Sequence, residues 1–435
     1  DRISVSLGRL MRAEFLRQRD GAERSLERAA IAFHPLPGKA LRLAERPVRT
    51  LIYGSLPHLD LDQWLALLGT GESAGAEEAL TVAEMSFGVL DAFGRRLQDV
   101  SVKARMQGGG WSANVTSRDI AGDVVFSAGE RRALQARMAR FVVPPESPQA
   151  KRREPAGELP DLDLVAEEFN YADMHLGRVE IVARHQLPDW RIERLSIANP
   201  DGKLAGSGLW RTSAAGGTSL ALELEAADAG RFLERLGRPN LVQGGSAKAS
   251  AKLTWDGEPM AVDLGSLAGT VTLHAESGRF LQIEPGIGKL VSLMSLQNLP
   301  RRMVLDFGDV FYNGFQWDSI DATASIARGV LETRDFRMQG SAAEVQMQGT
   351  LDLARETQKL RVRVVPGLDG TASTVTGVMV SPPIGIAALI AQKLLRNPLG
   401  QMFAYQYDIT GDWANPTVVP VRPPVAESPK TIIGD

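Results

Sequence analysis

Gly71-Glu72-Ser73-Ala74-Gly75 has the G-x-S-x-G spacing in which hydrolases present a nucleophilic serine. In that chemistry a strand delivers the serine, a helix leaves it, and a histidine backed by a carboxylate activates the hydroxyl. Here a helical stretch ending at Gly69 precedes the motif, Glu77-Glu78 follow it, and no His-Gly-Gly-Gly oxyanion segment lies upstream. His175, His185 and His274 lie downstream, but the surroundings of Ser73 read as a Gly/Ser/Ala loop. A serine hydrolase acting through Ser73 is therefore a distant third among the functional readings. The five histidines, His34, His58, His175, His185 and His274, lack the His-x-x-x-His spacing of a metal site. Gly286-Ile287-Gly288-Lys289 holds only part of a phosphate loop and reads as a helix start. Asp306, Asp309, Asp318 and Asp321 gather four carboxylates, which strand alternation assigns to solvated edges. With no cysteine, disulfides and thiolate metal sites are excluded. The side chains thus predict no enzyme, no metal and no cofactor.

The elements that would position any site are strands. Val345, Met347, Gly349, Leu351 and Leu353 alternate with Gln346, Gln348, Thr350 and Asp352. Leu360, Val362 and Val364 alternate with Arg361 and Arg363, and Tyr405 to Trp413 reads as a returning strand. A period of two makes each strand apolar on one side and polar on the other. A loose repeat of aromatic strand, Gly-centred turn, strand and strand starts near Phe87, Phe169 and Met303. Short connections favour antiparallel pairing throughout. Three short helices interrupt this pattern: Asp60 to Gly69, Asp228 to Gly237, and one after Pro285 with Ile287, Leu290, Val291 and Met294 at helical spacing. A fourth, apolar helix over 384–397 follows Pro382-Pro383 and is too short to span a bilayer. It either packs under the sheet or uses Leu389, Ile390, Leu394 and Leu395 to meet a membrane interface or close a groove, with Lys393 and Arg396 at its polar end.

At 435 residues the chain exceeds one compact domain, and a net charge of −3 argues against a nucleic-acid partner. The expected organisation is a β-rich segment with a short helix over 1–80, a β-meander over 81–143 and a Pro-rich linker over 144–160. A second meander covers 161–257, a C-terminal β-groove with the apolar helix covers 258–420, and a disordered tail covers 421–435. Because the first residue is Asp1 and Ile3, Val5 and Leu7 already alternate, the chain reads as part of a longer protein with its targeting segment upstream.

Ser295-Leu-Gln-Asn-Leu-Pro-Arg-Arg302, Leu305-Asp-Phe307, Phe336-Arg-Met338, Val345-Gln-Met-Gln-Gly349, Gln358-Lys-Leu-Arg-Val-Arg-Val364, Ala391 to Pro398 and Tyr407 to Pro416 form an ordered string. That string resembles the C-terminal part of the large AsmA-like proteins, an intermembrane phospholipid transport family. The likeness is dense from about Leu267 to Val418 and diffuse before. It implies a mostly β fold: an elongated, twisted antiparallel sheet curved into an apolar groove, with a few short amphipathic helices. It implies a periplasmic, inner-membrane-anchored bridge that carries phospholipid toward the outer membrane, with partners limited to phospholipid, the two membranes and envelope proteins. On that resemblance Leu305, Phe307, Ile320, Ile326, Val345, Met347, Leu351, Leu353, Leu360, Val362 and Val364 line the groove, and Gly349, Ala322 and Ala324 leave room for an acyl chain. Burying methylenes supplies about 0.8 kcal/mol each. The plain alternative for these faces is a sandwich in which they pack on each other. The alternative function is an envelope assembly or scaffold protein that binds partners through its sheet edges.

Overall fold

The computed structural model describes residues 1–20, 23–61, 63, 79–92, 94–129, 131–143, 160–186, 189–212, 216–281, 315–341, 343–366, 405–413 and 416–421. Among them the chain is mostly β, with twenty-two strands in mixed parallel and antiparallel pairing and one complete short helix. It divides into two compact units, Asp1–Ala215 with Arg235–Gly237, and Gly216–Glu234 with Arg238–Asp435.

In the first unit β1 (Arg2–Leu7), β2 (Met11–Asp20) and β3 (Glu23–Phe33) form an antiparallel meander. β4 (Thr50–Asp60) then pairs parallel with β3, and β5 (Thr81–Ala92) parallel with β4, giving a solenoid-like stretch. β6 (Arg95–Gln107), β7 (Gly110–Thr116), β8 (Ile120–Ala128) and β9 (Arg132–Val143) continue antiparallel from β5. β10 (Asp161–Tyr171) joins β9 in parallel, and β11 (Met174–Gln186), β12 (Asp189–Asn199) and β13 (Gly202–Arg211) complete an antiparallel meander.

Three parallel pairs correct the expectation of antiparallel pairing throughout. The physical reason lies in the connections. Residues 34–49, 61–80 and 144–160, which precede β4, β5 and β10, are each long enough for the crossover that parallel neighbours require. Elsewhere the turns are tight. Gly108-Gly109, both at positive φ (60° and 75°), link β6 to β7 as a two-residue turn whose twist suits a hairpin.

The second unit is antiparallel between sequence neighbours: β14 (Gly217–Ala226), β15 (Val242–Asp256), β16 (Ala268–Phe280), β17 (Phe315–Ala327), β18 (Val330–Gln339), β19 (Ala343–Asp352), β20 (Thr357–Pro366), β21 (Tyr405–Asp412) and β22 (Thr417–Pro420). The helix expected over 228–237 is present as α1 (Ala229–Arg235), between β14 and β15. Asp228 caps it, accepting from the Arg231 N–H at 3.0 Å, Phe232 is buried, and Gly237 ends it at φ 73°. Asp60 likewise accepts from the Gln63 N–H at 2.9 Å, as expected of a cap. The rest of that helix, the Ser73 loop, the helix after Pro285, the apolar helix 384–397 and the tail from 422 lie outside the described residues.

Within each unit, every substantial contact between described strands joins a strand to its hydrogen-bonded neighbour. The register also shows that 282–314 and 367–404 leave and rejoin the second sheet at the same end of its strands. Phe280 lies opposite Phe315 there, and Val364 opposite Tyr405.

Candidate functional site

Cross-strand register converts the alternation of single strands into apolar rows that run across many strands. In the first unit one row passes Val5, Ala13, Ile31, Ile52, Ala83, Ala104, Ala113, Val124, Ala136, Leu164, Ile181, Leu195 and Gly206, one residue from each strand β1 to β13. It contains no polar side chain. Beside it runs Met85, Val102, Val115, Gly122, Met138, Ala166, Val179, Ile197 and Leu204. In the second unit Leu222, Ala251, Val271, Ala324, Thr333, Gly349, Leu360, Ile409 and Val418 cross all nine strands. The one hydroxyl among them, on Thr333, donates to the Thr323 carbonyl at 2.8 Å. Rows on both sides, such as Leu224–Ala249–Leu273–Ala322, widen the surface.

Coverage of these faces is uneven. Ile320, Ile326, Val345, Leu360, Val362, Tyr407 and Ile409 are buried, and most belong to a core that also holds Phe315, Trp317 and Met338. Leu222, Leu224, Ala249, Ala251, Val271 and Leu273 on β14–β16 are only half-buried, as is most of the long row of the first unit. Polar residues fill the opposite face. Arg361 grips Asp408 at 2.7 and 2.9 Å, and its guanidinium holds that carboxyl below the usual range. His274 sits between Asp321 (2.6 Å) and Glu276 (3.2 Å), and hydrogen bonding, chiefly to Asp321, raises its pKa. In the first unit Arg96, with help from His58, holds Asp91 at about 2.

The structure brings together Ile320, Ile326, Val345, Met347, Leu351, Leu360, Val362 and Val364 on one face. Val345 lies opposite Val364, Met347 opposite Val362, and Ile326 reaches Leu351 through Leu331. Leu353 follows β19, where its N–H donates to the Gly329 carbonyl at 2.9 Å. Leu305 and Phe307 lie outside the described residues, as do Leu389, Ile390, Leu394 and Leu395. Gly349 has a different reason from the expected one. At φ 139° a Cβ there would sit 2.2 Å from the Lys359 carbonyl oxygen, so close strand approach, and not merely room for a ligand, requires glycine. The rows on β5–β16 were missed because alternation marks a face within each strand, and only register joins the faces.

The histidines stand on separate strands or turns, each with local partners. The His34 Nδ1–H donates to the Ser55 carbonyl at 2.6 Å, and His175 Nδ1 meets Asn170 Oδ1 at 3.1 Å. The His185 backbone N–H donates to Asp161 at 2.8 Å. Asp318 is exposed, and Asp321 is engaged by His274, in keeping with solvated edges. A pocket of about 620 Å³ in the first unit is lined by Ser55, Ser86 and Ser101 together with His34 and Asp99. No described helix is long and apolar enough to cross a membrane.

These features define a class: a β-sheet protein whose described strands carry long apolar rows on one face and polar side chains on the other. The chain belongs to the YhdP protein family, which matches residues 1–418. It is 29% identical over 202 residues to the intermembrane phospholipid transporter YhdP of Escherichia coli (strain K12). That alignment takes in 46% of this chain and 16% of the relative, so the chain covers far less than two thirds of it. No solved structure gives a significant match.

Proposed function

We propose that this chain is a segment of a cell-envelope bridge that carries phospholipid between membranes, with acyl chains lying on the apolar rows and headgroups in water. The observation that carries this reading is the row from Val5 to Gly206, apolar at all thirteen strands and half-buried over most of them. At about 4.8 Å between strands, the nine strands β5 to β13 offer roughly 38 Å of apolar surface. Shielding ten to fifteen methylenes there supplies on the order of 10 kcal/mol, enough to hold a chain drawn from a bilayer without covalent chemistry. The half-buried rows on β14–β17 are the natural lining in the second unit. The buried set around Val345 and Leu360 continues the same face across the later strands. The apolar helix 384–397 would then meet a membrane or close the groove, since its segment rejoins the sheet at one end. The periplasm, between an inner and an outer membrane, is the compartment this reading requires.

The test uses neighbours in sequence that face opposite sides. Leu273→Lys places a charge on the apolar face, and Thr272→Lys places one on the polar face. Mass spectrometry of solvent extracts is expected to find phospholipid in wild type and Thr272→Lys and a several-fold loss in Leu273→Lys. Equal lipid in both variants would exclude the face as the carrier. Complete absence of lipid from wild type would favour a scaffold that binds through an edge such as β1, whose residues are all exposed.

A further inference from the structure

Five polar or charged side chains are buried among the described residues: Asp161, Asp201, Thr218, Thr333 and Gln358. Four of them have partners. Asp161 accepts from the His185 N–H, Asp201 pairs with Arg235, and Thr218 and Thr333 donate to carbonyls. Gln358 does not: it is 5% exposed, and neither its Oε1 nor its Nε2 has a hydrogen-bond partner. A buried amide left in that state is costly, so a group that completes it is favoured strongly over one that does not.

Its position says what that group would be. Gln358 shares the parity of Leu360, Val362 and Val364 and therefore belongs to the apolar face. It stands in the row Leu220, Leu253, Gly269, Ile326, Leu331, Leu351, Gln358 and Gly411, as the only polar side chain there. Gly411, directly opposite, carries no side chain, so its strand offers no side-chain partner to the amide. Gln358 is also the second residue of β20, next to the turn from β19, where the apolar surface gives way to polar residues. A molecule suited to this spot is apolar over its length and has a neutral hydrogen-bonding group where its chains end. The row holds no charge, so it offers little to a phosphate and suits an uncharged carbonyl.

We propose that Gln358 is a station for the ester linkage of a diacyl lipid, its Nε2–H donating to an ester carbonyl while Oε1 accepts from a donor on the headgroup side. This rests on the proposal that the apolar face carries acyl chains and adds that the face reads the linkage as well as the chains.

The full chain is incubated with vesicles holding equal amounts of dipalmitoyl phosphatidylethanolamine and its di-O-hexadecyl ether analogue, which lacks both carbonyls. It is then repurified, and the retained lipids are quantified by mass spectrometry. Wild type is expected to enrich the ester lipid about tenfold, the effect of one hydrogen bond to a buried amide. Gln358→Leu, similar in volume and free of unsatisfied groups, is expected to retain lipid without preference and to melt no lower than wild type. Gln358→Met serves the same purpose should the leucine variant fail to fold. Equal retention of the two lipids by wild type overturns the station while leaving the carrier reading intact. An undiminished ester preference in Gln358→Leu overturns it too. If wild type retains neither lipid, both readings fall.

Discussion

His274 shows how the polar face is held at the level of single side chains. Asp321 and Glu276 favour its charged form, so its pKa in the folded state lies above that of the unfolded chain. The stabilisation from this trio is complete below the ordinary histidine pKa and is lost as pH rises through the raised value. An NMR titration is expected to show His274 titrating above the usual histidine range in wild type and returning toward it in Asp321→Asn. An unchanged midpoint in the variant would show that the contact does not form. Glycines act at the same scale. A Cβ on Gly278 would lie 2.2 Å from the Trp317 ring, so the burial of that indole depends on glycine beneath it.

At the scale of the element, the strands are specified by alternation and positioned by register. Gly349 lies within β19 at a place where the backbone of β20 comes close. Gly349→Ala is expected to destabilise the second unit by about 1–3 kcal/mol, through a strained positive φ and a clash with a carbonyl that cannot move freely. Chemical denaturation of the wild type and the variant measures this. A loss under half of the lower figure would mean that the strands relax apart at little cost. Strand length and face were legible in the sequence for β19, β20 and β21, because each carries an unbroken alternation bounded by turn residues. The cap of α1 was legible for a similar reason, since Asp228 and Gly237 bracket one turn of apolar spacing. The parallel partners of β4, β5 and β10 were not, because pairing direction depends on where a long connection returns.

At the scale of the molecule, each unit presents long apolar rows against a polar reverse face. A protein of this kind gains stability from whatever covers the rows. Stripping lipid with detergent is expected to lower the melting temperature, and returning phospholipid to restore it, in proportion to the logarithm of lipid concentration. A melting temperature indifferent to lipid would mean that the rows are covered by the protein itself. Leu273, Val271 and Leu224 are the places to look for that dependence, since they are half-buried where Val345 and Leu360 are already enclosed.

The amino-acid sequence by itself determined that the chain is mostly β, that its strands have one apolar and one polar side, and that it belongs to the YhdP family. These properties are local, written in a period of two and in short strings of residues. Only the tertiary structure decided which apolar residues become neighbours. Register turned Val5, Ala83, Ala113 and Leu195, far apart in the chain, into one row. It also gave Gly349 a backbone role and left the amide of Gln358 without a partner on an apolar face. The physical reason is that alternation assigns a side chain to a face, whereas hydrogen bonding between distant strands assigns it a neighbour.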